Sequence, residues 1–480
     1  MSDSRWSALL FAAAVLVRVV AWMGSAIFGT DSGHYLLMAD WIREGRWHEA
    51  MAVGYHPMFP LLIAVVRSAS SSTEVAGNMV SILLGAAGVF PLYRMVLAAF
   101  QRPAAIFAVA LYAFQPSIVE VQSEIMTEST FLFFLFSAQW LTWKMLEDPT
   151  PARGAVLGAA AAGAFLTRPE GILAIALALG WPLLLLFRRP GTRWRRAAGL
   201  AVTFAVIVLA VSPYLLWVKS YRGRWALSPR QSAMSVEREL GMDSQSPQAT
   251  EKSRGYFYLR FARSVFRLTS YGLWIPFAAI GLRSLSGFRS VYYLSLPLAH
   301  FAGILYTLRT HPFMSDRYVM GPVTLLLGGL AGCGMTVVLA GLARKRPDAR
   351  WRPCVSGALV LAVAVLPTVR VFQLRRYECL SYPVAASRIL EQGPKPRGMS
   401  GPVEQVAYLC GVRSFYSAET HEGIRQQLDL HQVDCYVYSE KDLRNRKAYV
   451  EMLQSCPALE PPVEVKGPPG TLTVYYQRAK

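Results

Sequence analysis

The chain has 480 residues, of which 53% are hydrophobic and only 16% charged, with a formal net charge of +19. This apolarity excludes an ordinary soluble globular protein, and the length leaves room for many membrane crossings. So large a basic excess would indicate nucleic acid in a soluble chain. Here the Arg and Lys residues stand between apolar runs, where they act as orientation signals and lipid-phosphate contacts, and no nucleic-acid partner is expected.

The predicted fold class is an all-α polytopic membrane protein. Apolar runs near the roughly 20 residues that a span requires predict about eleven spans, at 6–28, 75–99, 104–115, 129–145, 154–167, 172–187, 197–217, 266–281, 291–308, 319–340 and 353–371. The first run is longer than a signal-peptide core and lacks a cleavage site, so it is expected to be a retained helix. The apolar segment 56–66 is short and carries Pro57 and Pro60, which predicts a helix lying in the interface. A single helix over 154–187 would be on the order of 50 Å long, against a hydrocarbon core of ~30 Å. A turn is therefore expected at Thr167-Arg168-Pro169-Glu170-Gly171, where the proline disfavours helix in the residue before it.

Basic clusters at Arg188/Arg189/Arg193/Arg195/Arg196 and Arg344/Lys345/Arg346/Arg350/Arg352 fall in short loops and should be cytoplasmic, as should Arg283 and Arg289. Counting spans back from them predicts a multi-pass protein of the inner (cytoplasmic) membrane with its N-terminus inside. Asp31, the 122–129 segment, the 167–171 turn and the 309–318 loop then share the outer side. The polar stretch 219–263, with Trp225 and Pro229, suits a lid, an acceptor-binding segment or a connector. After Val371 the composition turns polar, which predicts a transmembrane domain over 1–373 and a small extracytoplasmic α/β domain over 374–480. Strands are expected there at 433–438 and 472–476, and helices at 385–392, 421–428 and 441–453. Cys379, Cys410, Cys435 and Cys456 lie in this tail. One or two disulfides, or free structural thiols, are both compatible with it.

Several outer-side residues can carry chemistry. Asp31 has Tyr35 one helical turn later; its carboxylate could accept a proton from an acceptor hydroxyl or amine, or simply cap the helix starting at Ser32. Glu124 and Glu128 are also four residues apart, which suits a base, a divalent cation or a cationic acceptor, or solvated acids near a helix start. The loop from Arg309 through His311 to Asp316-Arg317-Tyr318 places guanidinium groups where positive-inside bias disfavours them. An anionic partner such as a lipid phosphate, bound bidentately, accounts for that, and so does a local network of Arg317, Asp316 and Arg309. Arg168 and Glu170, slightly below the surface, should face a cavity and pair. His56 could bind phosphate or orient a neighbour. No metal-ligand spacing, phosphate loop, dinucleotide fingerprint or Ser-His-Asp signature occurs, so nucleotide-driven chemistry is not expected.

In order and spacing these residues resemble the GT-C superfamily of integral-membrane glycosyltransferases, particularly the protein O-mannosyltransferase and aminoarabinose-transferase-like group. The acid and Tyr of the first outer loop correspond to Asp31 and Tyr35. The interfacial His-Pro-Pro segment corresponds to His56-Pro57-Met58-Phe59-Pro60, and the acid of the second outer loop to Glu128, with Glu124 nearby. The 167–171 turn and Arg317-Tyr318 complete the set. Ser32 after Asp31, and Met58 in place of the second proline, depart from the protein mannosyltransferase pattern.

The resemblance implies an inverting transfer from a polyprenyl-phosphate sugar donor to a lipid, glycan or protein acceptor at the outer face. Asp31 would be the base, with Glu128 and Glu124 assisting. Arg317, Arg309, His311 and Arg168 would bind the donor phosphate. Tyr35, His56, Glu170 and Tyr318 would line the substrates. No cofactor is obligatory, and a divalent cation can be accommodated. A lipid or glycolipid transporter is the alternative from another class.

Overall fold

The computed structural model describes residues 2–25, 28, 29, 31–186, 193–229, 247–310 and 315–345. Towards the C-terminus it describes 382–391, 396–400, 404–415, 424, 428, 433–439, 447–467 and 470–477. The helices run α1 (Asp3–Met23), α2 (Ser32–Arg43), α3 (Trp47–Ala52), α4 (Met58–Arg67), α5 (Thr73–Ala87), α6 (Val89–Ala99), α7 (Arg102–Phe114), α8 (Pro116–Gln122) and α9 (Thr127–Glu147). They continue with α10 (Pro151–Thr167), α11 (Ile172–Leu186), α12 (Arg193–Arg222), α13 (Pro247–Leu268), α14 (Trp274–Gly281) and α15 (Gly287–Thr310). A single-turn 3-10 start at Asp316–Val319 and a π-helical stretch at Val323–Gly328 then lead into α16 (Gly329–Lys345).

The chain is a multi-pass membrane protein. Among the described residues six helices are long and apolar enough to cross a membrane, or seven if the bent pair α7 and α8 forms one span. The bend of 59° has a local cause. Gln115 is extended, Pro116 opens α8, and the Gln115 side chain accepts from the Ile118 amide at 2.7 Å, capping the new helix. The expectation of about eleven spans is thus larger than the number that passes on length and apolarity, and the run 353–371 lies outside the described residues.

The run 266–281, expected to cross as one helix, is broken. Ser270, Tyr271 and Gly272 take positive φ angles of 50°, 56° and 85°, a left-handed stretch that ends α13 and leaves α14 only eight residues long. The proposed turn at 167–171 does form. α10 ends at Thr167, Arg168 is extended, and a 3-10 turn over Pro169–Gly171 starts α11. Gly171 is required there, because a Cβ would collide with the backbone of Ala164 and Phe165.

Helix packing relies on small residues, as expected where lipid supplies no hydrophobic drive between spans. A Cβ on Gly154 of α10 would strike the Gly199 carbonyl of α12, and one on Gly334 of α16 would strike the Phe277 carbonyl of α14. Thr203 Oγ1 donates to the Gly154 carbonyl at 3.1 Å across the first of these seams.

Ion pairs identify which loops share an end of the bundle. At one end Asp3 meets Arg102 at 2.6 Å, and Asp148 joins Arg153 at 2.6 Å and Arg195 at 3.3 Å. Arg289 lies over the Trp143 ring at 5.9 Å, which adds the start of α15 to the Glu147 end of α9. Asp31, Glu128, Arg168 and Arg317 gather at the opposite ends of their helices.

Beyond Tyr382 lie α17 (Tyr382–Glu391), α18 (Glu404–Leu409), α19 (Lys447–Gln454) and five strands, β1 (Gly398–Ser400), β2 (Arg413–Phe415), β3 (Cys435–Ser439), β4 (Val463–Gly467) and β5 (Gly470–Tyr476). They form one sheet in the order β2-β1-β3-β5-β4, parallel for β1 with β2 and β3, and antiparallel around β5. The expected strands at 433–438 and 472–476 are neighbours in it, pairing Tyr436 with Tyr475 and Val437 with Val474. The sheet region rests on the first loop: Gln405 donates to the Phe28 carbonyl at 3.3 Å, and the Tyr408 ring meets that of Phe28 edge-on at 5.4 Å. Cys435 and Cys456 are buried thiols, and Cys379 lies outside the described residues.

Candidate active site

Asp31 occupies the position before α2, but its side chain makes no capping bond. Its Oδ2 instead accepts from Arg317 Nη2 at 2.6 Å. Arg317 also approaches Glu128 Oε1, with its Nε at 3.5 Å. Glu128 Oε1 in turn accepts from Arg168 Nη1, and Arg168 Nη2 reaches Glu170 Oε1 at 3.2 Å. Acids and guanidinium groups therefore alternate along one continuous chain, Asp31, Arg317, Glu128, Arg168 and Glu170. Alternation of this kind lets charges persist away from bulk water, since each is flanked by its opposite. The Glu128 side chain is 2% exposed and Arg168 14%, whereas Asp31 is 27%, Arg317 29% and Glu170 26% exposed, so the middle of the chain is buried and both of its ends can be reached.

Several contacts fix this geometry. Ser32 Oγ donates to the Ile125 carbonyl at 2.9 Å, tying the start of α2 to the α8–α9 turn. Arg317 Nη1 lies 3.2 Å from Met126 Sδ. Asp316, next to Arg317, accepts from Ser264 Oγ at 2.6 Å and from Arg267 Nη1 at 2.7 Å, so α13 holds the Arg317 segment in place. Arg168 lies over the Tyr318 ring at 5.2 Å and the Phe131 ring at 5.7 Å, a cation–π clamp that sets the height of its guanidinium.

Of the residues singled out from sequence, Asp31, Glu128, Arg168, Glu170, Arg317 and Tyr318 are brought together. Tyr35 is buried beside them, its ring edge-on to Tyr55 at 4.9 Å and Phe59 at 5.3 Å. Burial, reinforced by the Asp31 and Glu128 charges, pushes its hydroxyl well above the usual tyrosine range, so it stays protonated. His56 is buried against Phe165 at 5.5 Å and Tyr214 at 4.9 Å, one turn from Arg168 along α10. Burial lowers its pKa to about 4, against smaller opposing pulls from the Phe165 backbone and Glu170, which leaves the ring neutral at pH 7.

Two expectations about local geometry need correction, the shared face of Glu124 and Glu128 and the pairing of Asp316. Glu124 and Glu128 do not share a helical face, because α8 ends at Gln122 and α9 begins at Thr127. Both are nevertheless buried, and Glu124 Oε2 would lie only 3.1 Å from a Cβ on Gly29. Arg309 ends the outer part of α15 as an exposed residue, and among the described residues no ion pair joins it to the network. Asp316 pairs with Arg267 instead of Arg317 or Arg309, so the local network considered for that loop does not form in that way. His311 lies outside the described residues.

Sequence reasoning missed Arg267, Ser264 and the buried His300, whose ring meets Phe131 at 6.2 Å. It also missed Arg18, fully buried in α1, which donates to Gln122 Oε1 at 2.6 Å and to the Ala113 carbonyl at 3.2 Å. An arginine inside the first apolar run was the available signal, since intramembrane charge demands a partner. Among the described residues no three His, Cys, Asp or Glu side chains converge as a metal site. The acids best placed for one, Asp31 and Glu128, are already engaged by guanidinium groups.

Residues 55–217 match the family model described as dolichyl-phosphate-mannose-protein mannosyltransferase. A comparison with curated protein sequences found no match. Among solved structures, the apo oligosaccharyltransferase of Archaeoglobus fulgidus superposes with a TM-score of 0.63 at 13% identity, covering 94% of this chain and 71% of that one. ArnT from Cupriavidus metallidurans bound to undecaprenyl phosphate gives a TM-score of 0.60 at 16% identity, covering 99% and 98%. The A. fulgidus oligosaccharyltransferase AglB in complex with an inhibitory peptide and a dolichol-phosphate gives 0.55 at 12% identity, covering 98% and 74%. The chain therefore has the fold of the GT-C glycosyltransferases, with protein O-mannosyltransferase-like and ArnT-like relatives, as the order of its outer-loop motifs suggests.

Proposed function

We propose that this protein is an inverting glycosyltransferase that moves a sugar from a polyprenyl-phosphate donor to an acceptor at the extracytoplasmic face of the inner membrane. The observation that carries the proposal is the partly exposed Asp31 carboxylate held by Arg317 at one end of an acid–guanidinium chain whose middle is buried. A base and an oxyanion stabiliser are the two groups that such a transfer requires, and here they are adjacent.

When the donor binds, its phosphate competes with Asp31 for Arg317. The freed carboxylate takes the proton of the acceptor hydroxyl or amine as that atom bonds to the anomeric carbon. The bond from that carbon to the phosphate oxygen breaks, and polyprenyl phosphate departs with one more negative charge than it had in the donor. Arg317 neutralises that charge, Glu128 keeps Arg317 in place, and Arg168 holds Glu128. Tyr35 and Tyr318 wall the site. Glu124, beside Gly29, is placed to orient the acceptor.

The reading includes a cytoplasmic N-terminus, a membrane domain over 1–373, and an extracytoplasmic domain over 374–480 that braces the first loop through Gln405 and Tyr408. The steps above use no divalent cation, and one could still share Asp31 or Glu128 through the oxygens that the guanidinium groups leave open. Neighbours support a lipid-phosphate donor, since ArnT is solved with undecaprenyl phosphate and AglB with dolichol-phosphate.

The test is to incubate purified protein with a panel of polyprenyl-phosphate sugars and candidate acceptors and to measure release of polyprenyl phosphate. Sugar-dependent release that disappears in Asp31→Asn supports the proposal. Movement of intact donor across a vesicle with no release favours the transporter reading and removes this one.

A further inference from the structure

A second cluster of polar groups lies one helical turn from the ion network and takes no part in it. His56 is only 4% exposed, and among the described residues neither ring nitrogen makes a well-formed hydrogen bond, the Phe165 backbone being a polar neighbour. The Tyr214 ring lies 4.9 Å from it on α12. The Tyr214 hydroxyl, which has Ser228 as a polar neighbour, and, one turn further along α12, the Trp217 Nε1 are likewise buried without a well-formed hydrogen bond among the described residues. Trp217 stacks on Tyr221 at 4.9 Å with planes 14° apart, and His48 stands edge-on to both rings, at 6.1 and 6.5 Å. Phe165 closes the other side of His56 at 5.5 Å. His56 and Tyr214 thus combine aromatic faces with unmade hydrogen bonds, and Trp217 adds a further unmade donor one turn along α12, although a fold normally leaves few buried polar atoms unpaired.

The chemistry of these groups selects what they can receive. A neutral imidazole offers one donor and one acceptor, a phenol offers both, and an indole offers one donor. Such a mixture suits hydroxyl groups, which both give and accept, and aromatic faces suit the C–H face of a pyranose or pentose ring. A phosphate fits badly, because it would bring charge to a cluster that holds no cation. A lipid tail would leave every one of the polar atoms unmet. Position adds the remaining argument. Phe165 sits three residues before Arg168 on α10, and Arg168 holds the Glu128 that Arg317 also approaches.

We infer that His56, Tyr214 and Trp217 form the subsite that takes the hydroxyl groups of the donor's sugar, while the Arg317 end of the network takes its phosphate. This rests on the transferase reading above and adds to it where the sugar is read. Specificity for the sugar would then reside on α12 and at the entrance to α4, apart from the charged groups that do the chemistry.

The experiment uses the full chain in lipid nanodiscs and compares undecaprenyl phosphate with undecaprenyl-phosphate hexoses and an undecaprenyl-phosphate aminopentose as ligands. Tyr214→Phe and Trp217→Phe keep the rings and remove only the polar atoms, and His56→Phe keeps an aromatic group in place of the imidazole. The expected result is that each variant weakens the preferred sugar-bearing lipid by about tenfold or more, with the affinity for undecaprenyl phosphate unchanged. Because the Tyr214 hydroxyl makes no well-formed hydrogen bond within the fold, Tyr214→Phe should retain or raise the thermal midpoint of the ligand-free protein, a change opposite in sense to its binding defect. Unchanged affinity for the sugar lipid in all three variants overturns the subsite and leaves the transferase reading standing. Equal losses for both lipids also overturn it, since those groups would then support the fold or the phosphate. If the wild-type chain discriminates no sugar-bearing lipid from undecaprenyl phosphate, the transferase reading fails together with the subsite.

Discussion

Arg317 and Asp31, 286 residues apart in sequence, are joined by a 2.6 Å hydrogen bond between Nη2 and Oδ2. The pair brings the beginning of the first outer loop to the start of the last described apolar segment. It also means that the two groups neutralise one another in the resting protein; on the proposed mechanism, a donor phosphate that takes over Arg317 frees Asp31 to act as base.

Asp31→Asn should reduce transfer by at least ~100-fold, the size typical of losing a positioned general base. The same change removes the internal competitor for Arg317. Affinity for undecaprenyl phosphate should therefore be equal to or tighter than wild type, as read by ligand titration in nanodiscs. Loss of lipid binding in a folded Asp31→Asn protein would contradict the exchange of partners.

Removing Arg168 alone should be far more harmful to the fold than removing it together with Glu128. Arg168→Met strands the Glu128 carboxylate, only 2% exposed, with Arg317 at 3.5 Å as its remaining cation. Breaking a buried pair from one side costs about 3–5 kcal/mol. The double variant Arg168→Met/Glu128→Gln should recover a good part of this, with thermal denaturation of the detergent-solubilised protein as the measure. Additive losses would mean that the two groups are not coupled.

Gly171→Ala should abolish correct folding, since the added methyl meets the Ala164 and Phe165 backbone and not a side chain that could turn aside. The expected readout is loss of monodisperse protein on size exclusion. Gly180→Ala in the same α11, where a Cβ meets nothing within 4 Å, should behave as wild type.

The pH dependence of stability should carry a contribution from His56. Its pKa falls from the ordinary value of 6.5 to about 4 through burial, so the unfolded chain binds this proton before the native one does. The native state therefore loses stability as pH falls from 6.5 towards 4, by up to roughly 3 kcal/mol from this group, and is unaffected by it above that window. In His56→Phe the decline in thermal midpoint over this interval should be shallower than in wild type. A decline of equal steepness would show that the ring is not kept neutral by its surroundings.

Hydropathy and proline placement alone carried much of this architecture. The long apolar runs, the short α4 after Pro57 and the turn at 167–171 follow from what lipid and backbone allow within a few residues. Asp31, Glu128, Arg168, Glu170 and Arg317 stood out because charges beside apolar runs need a reason. Strands β3 and β5 were visible through their alternating and β-branched residues. The shorter β1 and β2, three residues each, were too brief to show a period.

Other features could be decided only by the folded molecule, because they depend on which distant segments come to lie against one another. Helical spacing suggested that Glu124 and Glu128 share a face, but a break between α8 and α9 separates their roles. Asp316 could have paired with either neighbouring arginine, and packing of α13 gave it to Arg267. The left-handed residues at Ser270 and Tyr271, which cut the 266–281 run, have no signature in hydropathy. Composition and order determined the class of membrane protein, since burial in lipid is a property of each segment by itself. Pairing is a property of two segments at once, and only tertiary structure could match Asp31 with Arg317 and set His56 beside Tyr214.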